Sequence, residues 1–257
     1  MHYIVSYSGG AASWAAAALT VREIAGAPDD VTLLLFADTL IEDEDTYRFL
    51  YQGAEALGLP VTRVADGRTP FQVFRDERFL GNSRADPCSK ILKRELLDRW
   101  VAEAARAGEV TQVVGLDWTE INRARRFAER QPYPVLAPLI DARLGKRQIH
   151  EMVEREGLPM QRLYRMGMAH ANCGGGCIKQ GITGFARLYQ AMPERFAMWE
   201  SEEREIRGLL GRDVSILRDR RGGQTRSLTL AELRHRLDTQ AESVPDDEWG
   251  GCGCAVD

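Results

Sequence analysis

Adjacent glycines at positions 9 and 10 separate a short β-rich run, residues 2–6, from an alanine-rich helical stretch, residues 14–24. Strand, glycine turn and helix in that order make the first unit of an alternating chain. The alternation continues with an apolar run over 31–37 that ends in Asp38-Thr39, a charged helical pattern over 45–57 and a third short strand over 60–64. A further apolar run, 111–116, exits into Asp117-Trp118-Thr119-Glu120. This pattern predicts an α/β fold with a doubly wound parallel sheet, in which ligands sit beyond the carboxyl ends of the strands.

Residues 75–88 contain Gly81, Asn82 and Pro87 and follow no period, so a loop is expected there, leading into an amphipathic helix over 90–106. Residues 146–156 are helical again and are stopped by Gly157-Leu158-Pro159. Beyond Cys177 the chain changes character. Residues 185–210 are rich in Glu, Arg and aromatics at helical spacing, 215–218 read as a short strand before the Arg221-Gly222-Gly223 turn, and a helix begins at Thr229, three residues ahead of Glu232. The expected organisation is an α/β domain over 1–170 and a cysteine-containing, mostly helical C-terminal extension over 171–257.

A chain of 257 residues is long enough to bury a sizeable core, and 44% hydrophobic with 28% charged residues is an ordinary globular balance. The formal net charge of −4 creates no whole-molecule field for nucleic acid, so any polyanion site must be local. The first residues run directly into a strand-like segment without a basic, apolar leader, and no run is long enough to cross a bilayer. A cytoplasmic protein without a membrane partner is the expectation.

Ser8-Gly9-Gly10-Ala11-Ala12-Ser13 lies between strand and helix, where glycines let the backbone approach a phosphate and the helix supplies free N–H groups. The alternative is an ordinary Gly-Gly turn with Ser13 as an N-cap. The loop lacks the Lys-Ser or Lys-Thr ending of the P-loop. Four of the five cysteines fall in two close pairs, Cys173 with Cys177 and Cys252 with Cys254, leaving Cys88 alone. In a reducing compartment this reads as soft-metal ligation or thiol chemistry before disulfides, with inert structural thiols as the alternative. Arg84, Lys90, Lys93, Arg123, Arg125 and Arg126 fall in or beside loops at the expected ligand face, where guanidinium forks suit phosphate or sulfate. Of the four histidines only His170 lies near a cysteine pair, and a hydrogen-bonded loop role competes with a functional one.

The first loop resembles the PP-loop, Ser-Gly-Gly-x-Asp-Ser, of the adenine nucleotide α-hydrolases. Phe36-Ala37-Asp38-Thr39 with Glu42 and Thr46-Tyr47 resembles the second nucleotide-binding motif of the phosphoadenosine phosphosulfate reductase family. Pro87-Cys88-Ser89-Lys90 with Lys93 resembles that family's Cys and Lys segment. Leu158-Pro159, Leu163-Tyr164, Gly167 and Asn172-Cys173 resemble the stretch leading into its distal cysteine pair. Three departures stand out. Ala12 takes the place of the PP-loop aspartate, Cys88 stands single where iron–sulfur members have adjacent cysteines, and Trp249-Gly250-Gly251-Cys252-Gly253-Cys254 stands where the reductases carry Glu-Cys-Gly-x-His.

The resemblance implies that Ser8, Gly9, Gly10, Ser13 and Gly115 surround the phosphates of ATP or phosphoadenosine phosphosulfate, with magnesium accompanying ATP, while Asp38 and Thr39 position the nucleotide. It implies a 4Fe-4S cluster, with zinc as the alternative, on Cys88, Cys173, Cys177 and Cys252. It further implies Lys90 and Arg125 at the transferring group and a reactive thiolate from Cys252 or Cys254. The implied activity is sulfonucleotide reduction or ATP-dependent sulfur transfer to a nucleic-acid component; a nucleotide-sensing subunit without catalysis is the alternative. The partners in keeping with it are an adenine nucleotide, a nucleic acid or thioredoxin-like protein, and a second copy of the chain.

Overall fold

The fold is taken from a computed structural model that describes residues 1–81 and 86–239; the expectations for Arg84, Cys252 and Cys254 lie outside the described residues. Strands β1 (His2–Ser6), β2 (Val31–Asp38), β3 (Val61–Ala65), β4 (Val110–Val113) and β5 (Val135–Leu136) form one parallel sheet in the order β3-β2-β1-β4-β5. Around it, in chain order, run α1 (Ala11–Leu19), α2 (Glu44–Ala56), α3 (Pro70–Asp76), α4 (Pro87–Ser89), α5 (Glu95–Ala104), α6 (Ile121–Arg130), α7 (Pro138–Asp141), α8 (Lys146–Arg155), α9 (Arg162–Arg165), α10 (Gly181–Ala191) and α11 (Pro193–Leu210). A two-stranded antiparallel hairpin, β6 (Leu217–Asp219) with β7 (Arg226–Leu228), and α12 (Leu230–Asp238) complete the described fold.

Alternate residues of a strand serve opposite faces of a sheet. Val5, Leu34 and Phe36 accordingly pack with Trp14 of α1, Phe49 of α2 and Ile149 of α8, whereas Ile4, Leu35 and Ala37 pack with Leu97 and Val101 of α5. Helices thus cover both faces, the arrangement a parallel sheet requires because neither face can be left to water. The order of strands reverses at β1, with β2 on one side and β4 on the other, and this opens a crevice outside the carboxyl ends of β1 and β4.

Prolines explain two of the places where the structure departs from the expected elements. Residues 185–210 are two helices rather than one stretch, because Pro193 has no N–H to continue α10 and instead starts α11 at its first position. The two-residue β5 lies between Pro134 and Pro138 at the sheet edge, where a missing donor is tolerated. The expected helix over 90–106 begins as a π-helical turn, Lys90–Arg94, before α5.

A second core lies outside the sheet. It joins Phe71 and Phe74 of α3 and Leu163 of α9 to Cys173, Cys177, Phe185, Phe196, Trp199, Leu217 and Leu230. This core recruits side chains from both sides of residue 170, so the C-terminal helices are built on α3 and α9 rather than on a separate foundation.

Candidate nucleotide cleft and cysteine cavity

The chain leaves β1 through Ser8 and turns at Gly9, whose φ of +74° lies in the left-handed region. A Cβ at Gly9 would also press to 3.1 Å from Thr46 Cγ2. Gly10 is the N-cap residue of α1, and no side chain caps the helix. Ser13 braces the turn instead: its hydroxyl donates to the Gly10 carbonyl at 2.8 Å and accepts from the Ser8 N–H at 3.2 Å. Gln161 donates its side-chain amide to the Gly9 carbonyl, and Arg162 binds Asp43 through two hydrogen bonds of 2.8 and 2.7 Å. These contacts clamp the segment after α8 across the mouth of the turn.

The result is a cleft of about 750 Å3, counted to its open mouth, lined by Ser8, Gly10, Ser13, Gly115, Lys146 and Tyr164 among others. By helix geometry the amides of Ala11, Ala12 and Ser13 have no intrahelical acceptor, and the residues that carry them line the cleft. Gly115, just past β4, fits because its backbone packs directly on α1. A Cβ there would sit 2.7 Å from the Ala12 carbonyl oxygen and from the Ser13 nitrogen. Its role is to let the exit of β4 meet the first turn of α1.

The charges around the cleft differ from those expected. Lys146 and His150, one turn apart on α8, face it together with His170. Burial pushes the His150 imidazole below its ordinary pKa of 6.5, which favours its neutral form. Asp117 and Glu120 also line the cleft, but each is engaged: Asp117 accepts from the Thr119 N–H at 2.8 Å, and Glu120 pairs with Arg123 at 2.6 Å. Lys90 and Arg125, expected at the reacting group, are not brought there. Lys90 is 62% exposed beside Glu95, and Arg125 is 70% exposed beside Glu129, both on the solvent side of their helices.

Asp38 and Thr39 do not line the cleft either. The buried Asp38 carboxylate accepts from Tyr47 Oη and from the Leu40 N–H, each at 2.7 Å, and pairs with Arg63 at 2.7 Å. That set locks the end of β2 to α2 and β3 and raises the Tyr47 hydroxyl pKa, burial contributing most. Thr39 turns the other way. Its hydroxyl donates to Glu42 at 2.9 Å, and it lines a second, tightly packed cavity with Cys88, Cys173, Cys177, Lys93 and Trp199.

This cavity brings Cys88 to the distant pair Cys173 and Cys177. Cys173 adopts a left-handed backbone, φ 52°, held by a hydrogen bond from its N–H to Glu42. Glu42 also pairs with the buried Lys93 at 3.8 Å. The glycines that follow are required by close packing: a Cβ on Gly174 would press to 2.9 Å from the Ile41 carbonyl oxygen, and one on Gly176 would collide with the Trp199 indole. Thiolates suit iron–sulfur clusters and zinc. Among the described residues, however, no group of three His, Cys, Asp or Glu side chains is arranged to hold a metal ion. The three thiols line one cavity, and Cys252, the expected fourth ligand, lies outside the described residues. Asn172 lines the cleft and Cys173 the cavity, so the two sites are separated by one peptide step.

Lys146, His150 and Gln161 were not singled out by their sequence context, although the four-residue spacing of Lys146 and His150 puts both on one face of a helix. Comparison of the chain with models of known protein families and with curated proteins gives no match. Among the described residues no helix is long and apolar enough to cross a membrane.

Proposed function

We propose that the protein binds an adenine nucleotide with its phosphates against the turn at residues 8–13, and carries out sulfur chemistry with it in the manner of the phosphoadenosine phosphosulfate reductase family. The observation that carries the binding is the uncapped first turn of α1 at the wall of a cleft at the point where the strand order reverses. A helix start carries a partial charge of about +0.5 and donates three N–H groups to an anion. Lys146, which lines the same cleft, adds positive charge. The carboxylates of Asp117 and Glu120 oppose an anion, and the Arg123 guanidinium offsets that of Glu120.

The sulfur step is supported by the ordered motifs and by the adjacency of Asn172 and Cys173. In sulfonucleotide reduction a cysteine thiolate attacks the sulfonate sulfur, the S–O bond breaks and adenosine bisphosphate leaves; a second thiolate then displaces sulfite as a disulfide forms. In sulfur transfer ATP activates the acceptor oxygen and a sulfur nucleophile displaces AMP. Ala12 and the engaged carboxylates favour a second reading, a protein that binds the nucleotide without turning it over, because neither magnesium-assisted cleavage nor a free general base is provided by those positions.

Product analysis separates these readings. With ATP, AMP and pyrophosphate report sulfur transfer; with phosphoadenosine phosphosulfate and a dithiol, sulfite and adenosine bisphosphate report reduction. Tight binding with neither set of products supports the non-catalytic reading. Absence of adenine-nucleotide binding rejects all three.

A further inference from the structure

An exposed indole stands at the rim of the nucleotide cleft, and two exposed arginines lie on the elements that adjoin it. Trp118 is 51% exposed and Ile121 55% exposed, and they lie three residues apart across a 3-10 turn and the start of α6. The turn is tied to the cleft, for Asp117 before it and Glu120 within it both line the cleft. The Trp118 N–H donates to the Leu144 carbonyl at 3.1 Å, and its indole lies so close to Gly145 that a Cβ there would come to 3.1 Å from Nε1. Gly145 directly precedes Lys146 of the cleft. The indole is therefore fixed beside the mouth, its other face open to solvent.

Arg143 belongs to the same connection. It occupies a left-handed backbone position, φ 52°, just past α7, where the Leu144 N–H bonds back to the Leu139 carbonyl at 2.8 Å. Glycine or asparagine ordinarily fills such a position. The exposed side chains of Arg143 and of Arg126 on α6 make no ion pair or hydrogen bond among the described residues. Nearby, Glu120 is held by Arg123 and Glu129 by Arg125, while the exposed Asp141 offsets one of the free charges.

We propose that this rim docks a single-stranded nucleic acid, the acceptor in the sulfur chemistry, with bases stacked on Trp118 and phosphates drawn to Arg126 and Arg143. The acceptor role rests on the adenine-nucleotide reading of the cleft; the docking itself does not. An open aromatic face flanked by cations is how strands are held without sequence preference. A duplex hides its base faces and would leave the indole without a partner. Because the protein carries a net charge of −4, any attraction for phosphates is local, and binding falls with salt.

The test is fluorescence anisotropy of a labelled 16-nucleotide single strand titrated with the full chain over a salt series, with ATP binding measured separately by calorimetry. Trp118→Ala is expected to weaken strand binding about 5- to 150-fold, Trp118→Phe to restore most of it, and Arg126→Ala to lower the slope of log affinity against log salt by about 0.7. Arg218→Ala with Arg220→Ala on β6 and its turn, two exposed arginines that also lack partners but stand beside no exposed aromatic residue, should change nothing. Docking at the rim is overturned if the wild type does not bind the strand, if it prefers duplex, if the hairpin arginines matter and Trp118 does not, or if Trp118→Ala acts only by dissolving a dimer seen by sedimentation. Failure to bind ATP with strand binding intact overturns the cleft reading and leaves the docking surface standing.

Discussion

The two cavities on either side of residues 172 and 173 are built on opposite principles. The cleft is open, and backbone amides, Lys146 and two braced serines line it beside the sheet. The cysteine cavity is small and apolar, and it is packed by Trp199, Phe74 and Ile178 in a core the sheet does not share. In the first, chemistry comes from main-chain groups that a glycine turn exposes. In the second, it comes from side chains that a run of glycines allows to be buried. Damage to one should therefore fall on ligand binding, and damage to the other on stability.

The largest expected effect is on the cysteine side. Trp199 packs at 4.5 Å from Phe71 and 5.8 Å from Phe185, ring centre to ring centre. Trp199→Ala should cost about 3–5 kcal/mol in a denaturant titration, while the folded fraction keeps its affinity for ATP. A parallel loss of ATP affinity would mean that the two sites are not separate. Next comes Gly115→Ala, whose methyl would collide with the backbone of Ala12 and Ser13. It is expected to cost about 1–3 kcal/mol and to weaken calorimetric ATP binding by more than about tenfold, since it displaces the amides themselves. Ser13→Ala removes the brace and should cost about 0.5–1.5 kcal/mol for each net hydrogen bond, with ATP binding weakened up to about tenfold.

The smallest effect is that of pH. Burial lowers the His150 pKa below 6.5, so the unfolded chain takes up the proton first as pH falls. The stability this contributes is fully present above pH 6.5 and is lost as pH falls through the lowered folded value. His150→Gln should flatten the decline of Tm below that pH, whereas parallel curves for variant and wild type would assign the decline to other groups.

Much of the sheet was legible from the sequence because alternation of apolar runs with helical patterns is imposed by burial on both faces. Four strand exits and α2, α8 and the turn at residues 8–13 follow from it. Strand β5 was not legible, since two residues between prolines carry no period. The glycine turn marked the cleft, but the distribution of charge could not be read from chain position. Arg125 and Lys90 fall at the expected places in sequence yet project outward from their helices, and Asp38 is engaged by Arg63, which comes from another strand. The meeting of Cys88 with Cys173 and Cys177 depends on α3 and α11 packing together. No local spacing encodes that contact; the ordered motifs alone pointed to it.

The central claim is that phosphates lie against the first turn of α1, and amide chemical shifts of nitrogen-15-labelled protein test it residue by residue. On titration with ATP, the amides of Gly10, Ala11, Ala12 and Ser13 should move together and saturate, with adenosine giving much smaller changes at the same positions. Shifts confined to the arginine hairpin at residues 217–228, or equal responses to ATP and adenosine at the turn, would contradict it.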